Sequence, residues 1–339
     1  MKKVKVEDAV GMVLGHDLTK VVPGSYKGPA FRKGHIVREE DIPHLKDIGK
    51  EHIYLFELGD KKLHEDDAAL AIAQAAAGAR IECAPPSEGR VNLKAQADGL
   101  LKVNRSAVDA VNNVEHIALS TRHSNQLVKA GDVVAAVKII PLVVDKAAVQ
   151  GVEANLKRYG EVLAVHPLAK LKVAAVITGN EVFYGRIEDR FAKQIADKVA
   201  FYGGVLQETL YRPDDPAQIA EAIVSCRANG AEIVIASGGM SVDPDDVTPE
   251  AIRATGADVV TYGTPVLPGA MFMLAYLEEI AIIGLPACGM FAKTTVLDLV
   301  LPRILAGERL SKNDIVSLGY GGLCSQCEQC VYPHCPFGK

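Results

Sequence analysis

The chain has 339 residues, 49% apolar and 23% charged, and carries a formal net charge of −5. At roughly 100 to 200 residues per domain, this length suits two domains or slightly more, and the apolar fraction suits a chain folded nearly throughout. The negative balance gives no global attraction to phosphate backbones or anionic lipid, so nucleic acid is not an expected partner.

The opening MKKVKVEDAVGM sets Glu7 and Asp8 close behind its lysines, where a secretory signal needs an unbroken apolar run. A cytoplasmic location is expected. The most apolar region, 133–144, is interrupted by Lys138 and Pro141 and falls short of the ~20 residues that span a bilayer, so no membrane segment is expected. In chain order, β-like runs at 12–18 and 52–58 flank a turn-rich stretch at 23–34, and a short helix is predicted near 40–48. A stronger helix is predicted over 64–77, opening on acids and stopping at Gly78. Beyond Pro86 the pattern is β-rich, with a helix over 106–111. Residues 1–168 thus read as a smaller β-rich accessory region, a module at 1–62 followed by an α+β module at 63–168.

From Leu171 the pattern alternates strand and helix, as in a parallel or mixed sheet covered on both faces. Strands are predicted at 171–178, 205–211, 232–237, 258–262 and 280–285, and helices at 191–200, 217–228, 249–254 and 290–305. The expected fold class is α/β, a three-layer mixed-sheet domain over 169–308, with a cysteine-rich tail at 309–339.

Ligands of open α/β sheets bind beyond the carboxyl ends of the strands. The first strand here ends in Thr178, Gly179, Asn180 and Glu181, and its loop runs on to Asp189. The third ends in Ser237, Gly238, Gly239, Met240 and Ser241, continuing through Asp246 to Thr248, Pro249 and Glu250. Paired glycines let backbone N–H groups approach an anion. Thr248 before Pro249 reads as an N-cap that would aim a helix end at the same place. Asp189 and Asp246 are oxygen ligands suited to a hard divalent cation. The residue-level alternative is a tight turn and an ordinary helix cap.

The stretch from Ser237 to Glu250 resembles the signature of the molybdopterin-binding domain shared by molybdopterin adenylyltransferase and the gephyrin-like molybdopterin molybdenumtransferase. The segment from Thr178 to Asp189 is similar to that domain's first loop, and Gly284, Leu285 and Pro286 to a third element. The resemblance covers about 170–308. It implies a molybdopterin, free or adenylated, lying across Thr178, Gly179, Asn180, Glu181, Ser237, Gly238, Gly239, Met240 and Ser241, with Pro249, Glu250 and Pro286 beside it. Asp189 and Asp246 would be the catalytic acids, with Mg2+ assisting.

The implied reaction is adenylation of molybdopterin or insertion of molybdate into the adenylated form, and the accessory segments favour insertion. The alternative is a noncatalytic carrier or sensor. Implied partners are molybdopterin, molybdate and other cofactor-assembly proteins or molybdoenzymes, with a homo-oligomer expected. Three departures stand out: Asn180 where an acid is usual, Ala287-Cys288-Gly289 after Pro286, and Leu267 before Pro268 where the molybdenumtransferase carries lysine. A lysine is a point charge suited to an oxyanion, and Lys293 is a candidate replacement.

Cys324, Cys327, Cys330 and Cys335 follow the spacing C-x2-C-x2-C-x4-C. Three cysteines at successive x2 intervals favour an iron–sulfur cluster over Zn2+, whose four-cysteine sites split more often into separated pairs, while His334 keeps zinc open. Asp214, Asp215 and Pro216 read as a helix start, His16, His35 and His123 as structural or surface residues, and Cys288 as a buried structural thiol.

Overall fold

The computed structural model describes residues 2–22, 24–55 and 61–339. They form two compact units, the first built from 2–96, 103–122 and 130–164, the second from 97–102, 123–129 and 165–339.

In the first unit, β1 (Lys2–Lys5) pairs antiparallel with β4 (His52–Leu55), and β2 (Leu18–Val22) forms a hairpin with β3 (Tyr26–Phe31). α1 (Asp41–Asp47) adds Leu45 to a small core with Val6, Leu14, Phe31 and Ile53. The hairpin corrects two sequence expectations. The strand starts at the end of the 12–18 run, and the turn-rich stretch itself contains β3, because a two-stranded ribbon tolerates the glycine and proline that read as turn signals. Part of the 52–58 run, 56–58, lies outside the described residues.

β5 (Lys62–His64) leads into α2 (Glu65–Ala76), where the His64 ring accepts the Asp66 N–H at 3.1 Å. The buried face of α2 is mostly alanine (Ala68, Ala69, Ala73, Ala76), which lets it lie close against β6 (Ile81–Cys83), β7 (Arg90–Ala95) and β11 (Val133–Ile139). β8 (Gly99–Val103), α3 (Arg105–Asn112), β9 (Ile117–Thr121) and β10 (Gln126–Val128) precede β11, and β6-β7-β11-β9 form one antiparallel sheet. β12 (Val143–Asp145) pairs with β5. α4 (Lys146–Tyr159), absent from the sequence expectation, buries Val149, Val152 and Leu156 at i, i+3 and i+7; Gly151 and the valines mask that stripe to propensity reading. β13 (Leu163–His166) follows.

The second unit carries the α/β domain. β14 (Lys172–Thr178) lies parallel to both β15 (Val205–Arg212) and β16 (Ile233–Ser237). The sheet order is β15-β14-β16-β19-β18-β17, with β17 (Asp258–Tyr262), β18 (Met273–Leu277) and β19 (Ile280–Leu285), and β18 runs antiparallel to both neighbours. β18 has the unalternating pattern of a strand covered on both faces, which periodicity alone does not separate from a helix. α5 (Asn180–Phe183) is a single turn after β14, followed by α6 (Phe191–Phe201), α7 (Pro216–Ala228) and α8 (Thr248–Ala254).

The two faces of the sheet are buried in separate clusters. Ile235, Ile283 and Phe272 join α6 and the last helices on one side, and Val234, Ile282 and Ala236 join α7 and α8 on the other. This is the expected three-layer mixed α/β arrangement.

α9 (Val296–Leu305) starts six residues later than predicted, because Thr295 and Asp298 form a reciprocal capping box that sets its first turn. α10 (Lys312–Ser317) follows. Residues 309–339, set apart in the sequence reading, bury Phe337 in the same core as Ile283 and Leu299.

Candidate functional site

The chain leaves β14 for β15 on one side of the sheet and returns to β16 on the other. The carboxyl ends of β14 and β16 therefore flank a topological switch point, where two connections diverge and leave a crevice. Thr178, Gly179, Ser237, Gly238 and Gly239 meet at this point. The buried hydroxyls of Thr178 and Thr248 lie 3.0 Å apart, and Ser237 Oγ donates to the Leu285 carbonyl at 3.1 Å, tying the three strand-end segments together.

Gly238 has φ +109°, and a Cβ there would lie 2.1 Å from the Thr178 carbonyl oxygen, so no other residue fits without backbone movement. Among the described residues, the N–H groups of Gly239, Met240 and Ser241 have no protein acceptor. Tyr262 donates its hydroxyl to the carbonyls of Met240 and Ser241, at 3.0 and 3.1 Å, and so holds this loop from below. The Met240 side chain is buried and fills the space that glycine leaves at position 284, so only its backbone is offered to the crevice. Pro286 and Pro249 are buried and Glu250 is exposed.

Thr248 is the first helical residue of α8, not its cap; Val247 precedes it and makes no side-chain cap. The hydroxyl is taken by Thr178 instead, and a helix of seven residues adds little directed dipole. The donors that this crevice offers are therefore the loop N–H groups.

The acids are placed differently from one another. Asp189 accepts the N–H groups of Phe191 at 2.7 Å and Ala192 at 3.1 Å, capping α6, and accepts the Tyr211 hydroxyl at 3.1 Å. Asp246 accepts the Asp243 N–H at 3.2 Å within its own loop. Asp215 caps α7 through the Gln218 N–H at 3.0 Å, as expected, whereas Asp214 turns to the first loop and accepts the Asn180 N–H at 2.9 Å. Partial burial, together with the negative fields of Glu181, Asp245 and Asp246, raises the Asp214 pKa. Asp214 is a candidate site residue that sequence reasoning assigned to a helix start; its signal was its position just past the end of β15, the neighbour of β14. Among the described residues, no three His, Cys, Asp or Glu side chains are grouped as a bound metal ion requires.

Leu267 offers its backbone to the tail: its N–H donates to the Gly322 carbonyl and its carbonyl accepts the Cys324 N–H, both at 2.8 Å. The tail thus docks on the turn that leads into Pro268. Cys288 is partly exposed, a correction to the buried thiol expected, and lines one cavity with Cys324, Cys327, Cys330 and Cys335.

A crevice at the carboxyl ends of parallel strands, at the switch point of a mixed sheet, is where open α/β domains hold ligands. Residues 174–306 match the family described as a probable molybdopterin binding domain. Residues 3–57 match a domain of unknown function. The chain is similar to CinA-like proteins of Citrifermentans bemidjiense, at 37% identity over 90 residues, and Mycobacterium tuberculosis, at 33% over 90 residues. Each match covers 26% of this chain and 22% or 21% of the relative, so the chain spans about a fifth of those proteins' length.

Among solved structures, it is similar to the molybdopterin biosynthesis enzyme MoaB of Thermus thermophilus, with 19% identity, 41% of this chain and 98% of that one covered, and a TM-score of 0.34. It is also similar to the molybdopterin biosynthesis moea protein of Pyrococcus horikosii, with 14% identity, coverages of 90% and 74%, and a TM-score of 0.33. No described helix is long and apolar enough to cross a membrane.

Proposed function

We propose that this chain binds molybdopterin, in its adenylated form, across the carboxyl ends of β14 and β16, and acts in molybdenum cofactor biosynthesis as a molybdenumtransferase-type enzyme. The carrying observation is the crevice itself: three strand-end segments locked together around Gly238 and Gly239, with loop N–H groups free to meet a phosphate. In this reading Thr178, Gly179, Asn180, Glu181, Ser237, Gly238, Gly239, Met240 and Ser241 face the pterin and its phosphates, with Pro249, Glu250 and Pro286 at the margin. The donor set fits a phosphate only if the carboxylates around Asp214 are offset, since they repel an anion. Mg2+ supplies that offset when held by one or two carboxylates together with ligand phosphates, and Asp246 is the first candidate. Asp189 supports the loop from its cap on α6.

A second reading, a carrier or sensor that holds the cofactor without transferring molybdate, is favoured by one observation. Leu267 stands in place of the lysine, and its backbone is engaged by the tail. Supplied with adenylated molybdopterin, molybdate and magnesium, a transferase releases AMP and yields molybdenum-loaded cofactor. AMP release only after addition of a conventional molybdenumtransferase selects the carrier. Absence of binding tighter than millimolar, in protein verified as folded, removes both readings. Asp246→Asn is expected to weaken magnesium-dependent binding at least tenfold with stability almost unchanged, because a half-buried loop carboxylate bonded only within its own loop contributes little to the fold, and asparagine still accepts the Asp243 N–H. Unchanged magnesium dependence would return Asp246 to a loop-shaping role.

A further inference from the structure

We propose that the space between the C-terminal tail and the turn after β19 holds an iron–sulfur centre ligated by Cys324, Cys327, Cys330 and Cys335. Their spacing is a property of the sequence; the fold adds that the tail is anchored to the domain at its start, middle and end. Its start is pinned by the two backbone bonds to Leu267. Its middle is held by the Tyr332 hydroxyl, which donates to the Asp298 carbonyl at 2.9 Å. Its end is seated by Phe337, 3% exposed, and by Gly338, whose Cβ would strike Leu299 at 2.3 Å. Between these anchors all four cysteines line one cavity of about 540 Å³.

The surroundings suit a thiolate cluster. All four are free cysteines, and crowded thiolates need a cation to offset them. Lys293 lines the same cavity and balances the net negative charge of a cysteine-ligated cluster. The sulfurs already have hydrogen-bond partners of the kind that tune such clusters: Thr294 Oγ1 lies 3.2 Å from Cys330 Sγ, and the Gln326 N–H donates to Cys324 Sγ at 3.5 Å. The sulfurs do not yet converge on a point. Beyond the Cys324 N–H bond to Leu267 the segment contains neither helix nor strand, so the sulfurs can converge on a metal while that anchor is kept. A single zinc ion needs only four close ligands and no such chamber. Cys288, from the turn after Pro286, faces the cavity from the domain side and is assigned as wall, not ligand.

The inference is independent of pterin binding. Full-length protein, purified anaerobically or reconstituted with ferrous iron and sulfide, is expected to contain both and to show visible absorption that bleaches on dithionite reduction. Cys327→Ser/Cys330→Ser is expected to lose at least nine-tenths of the iron while circular dichroism is kept, and Cys288→Ser to retain the iron. Colourless protein containing only zinc, or metal-free protein whose four tail thiols titrate freely after reconstitution, overturns the proposal. Loss of iron in Cys288→Ser with retention in the double variant overturns the ligand assignment. Should the double variant not fold, the thiol titration and metal content of the unmutated chain decide.

Discussion

At the residue scale, the crevice depends on positions with almost no freedom. Gly238 combines a left-handed φ with a carbonyl where its Cβ would be, so Gly238→Ala forces strain of roughly 1–3 kcal/mol or displaces the Thr178 strand end. We expect a loss of stability of that order by denaturant unfolding, together with loss of pterin binding; an unchanged midpoint would show that the loop relaxes. Asp214 gives a prediction of opposite sense. Its folded pKa is raised, by burial first and by neighbouring acids second, so its contribution to stability is present below the unfolded carboxylate value and lost as pH rises through the folded one. At neutral pH the ionised group is therefore unfavourable, and Asp214→Asn, which still accepts the Asn180 N–H, is expected to unfold at the same or a higher temperature. A clear drop in melting temperature at pH 7 contradicts this.

At the element scale, α9 decides how the last part of the domain assembles. Asp298 is 2% exposed; it closes the capping box by accepting the Thr295 N–H at 2.8 Å, and it also accepts from Lys198 Nζ at 2.5 Å and the Tyr202 hydroxyl at 2.9 Å, both on or just after α6. A buried carboxylate with all these partners is favourable only while they remain. Asp298→Ala strands the Tyr202 hydroxyl and the partly buried Lys198, and we expect a cost of about 3 kcal/mol by chemical denaturation. A cost under about 1 kcal/mol would show that water replaces the carboxylate. Tyr332 bonds to the carbonyl of the same residue, so the variant is also expected to increase exposure of the tail to protease.

At the scale of the second unit, segments 206 residues apart in sequence are joined by charge. The Arg303 guanidinium, 6% exposed as a residue, donates to Glu308 and to Asp314, each at 2.7 Å, and Lys102 donates to Glu308 at 2.8 Å. Burial opposes ionisation of both acids, yet the hydrogen bonds from Ser311 and Arg303 hold Asp314 down at about 2, and those from Arg303 and Lys102 lower Glu308. Carboxylates with depressed folded pKa values contribute stability above the unfolded value, near pH 4, and lose it as pH falls through the folded one. Thermal stability is therefore expected to decline between about pH 5 and pH 2, and Asp314→Asn to flatten that decline. An acid limb of unchanged slope in the variant would assign it to other carboxylates.

Much of this was legible in the sequence. Continuous apolar strands such as Ile233–Ser237, the acid-led start of α2 and the Asp215–Pro216 opening of α7 follow from burial and capping chemistry, which act over a few residues, so local order reveals them. The strand-end glycines were legible for the same reason, because glycine marks where backbone must do what other residues cannot. What only the tertiary structure decided is pairing. Thr248 looked like a cap, but a hydroxyl from a strand 70 residues earlier takes its side chain. Asp214 looked like part of a helix start until the neighbouring loop came within hydrogen-bonding distance. β18 was hidden because two-sided burial erases the periodic signal, and α4 because Gly151 and its valines lower the helix propensity of a stripe that is otherwise periodic. The tail read as a separate segment because no local pattern records that Phe337 is buried or that Leu267 holds Cys324. Those contacts arise from the closing of the core, a free energy summed over distant residues, and local sequence does not encode which distant surface will be there to receive them.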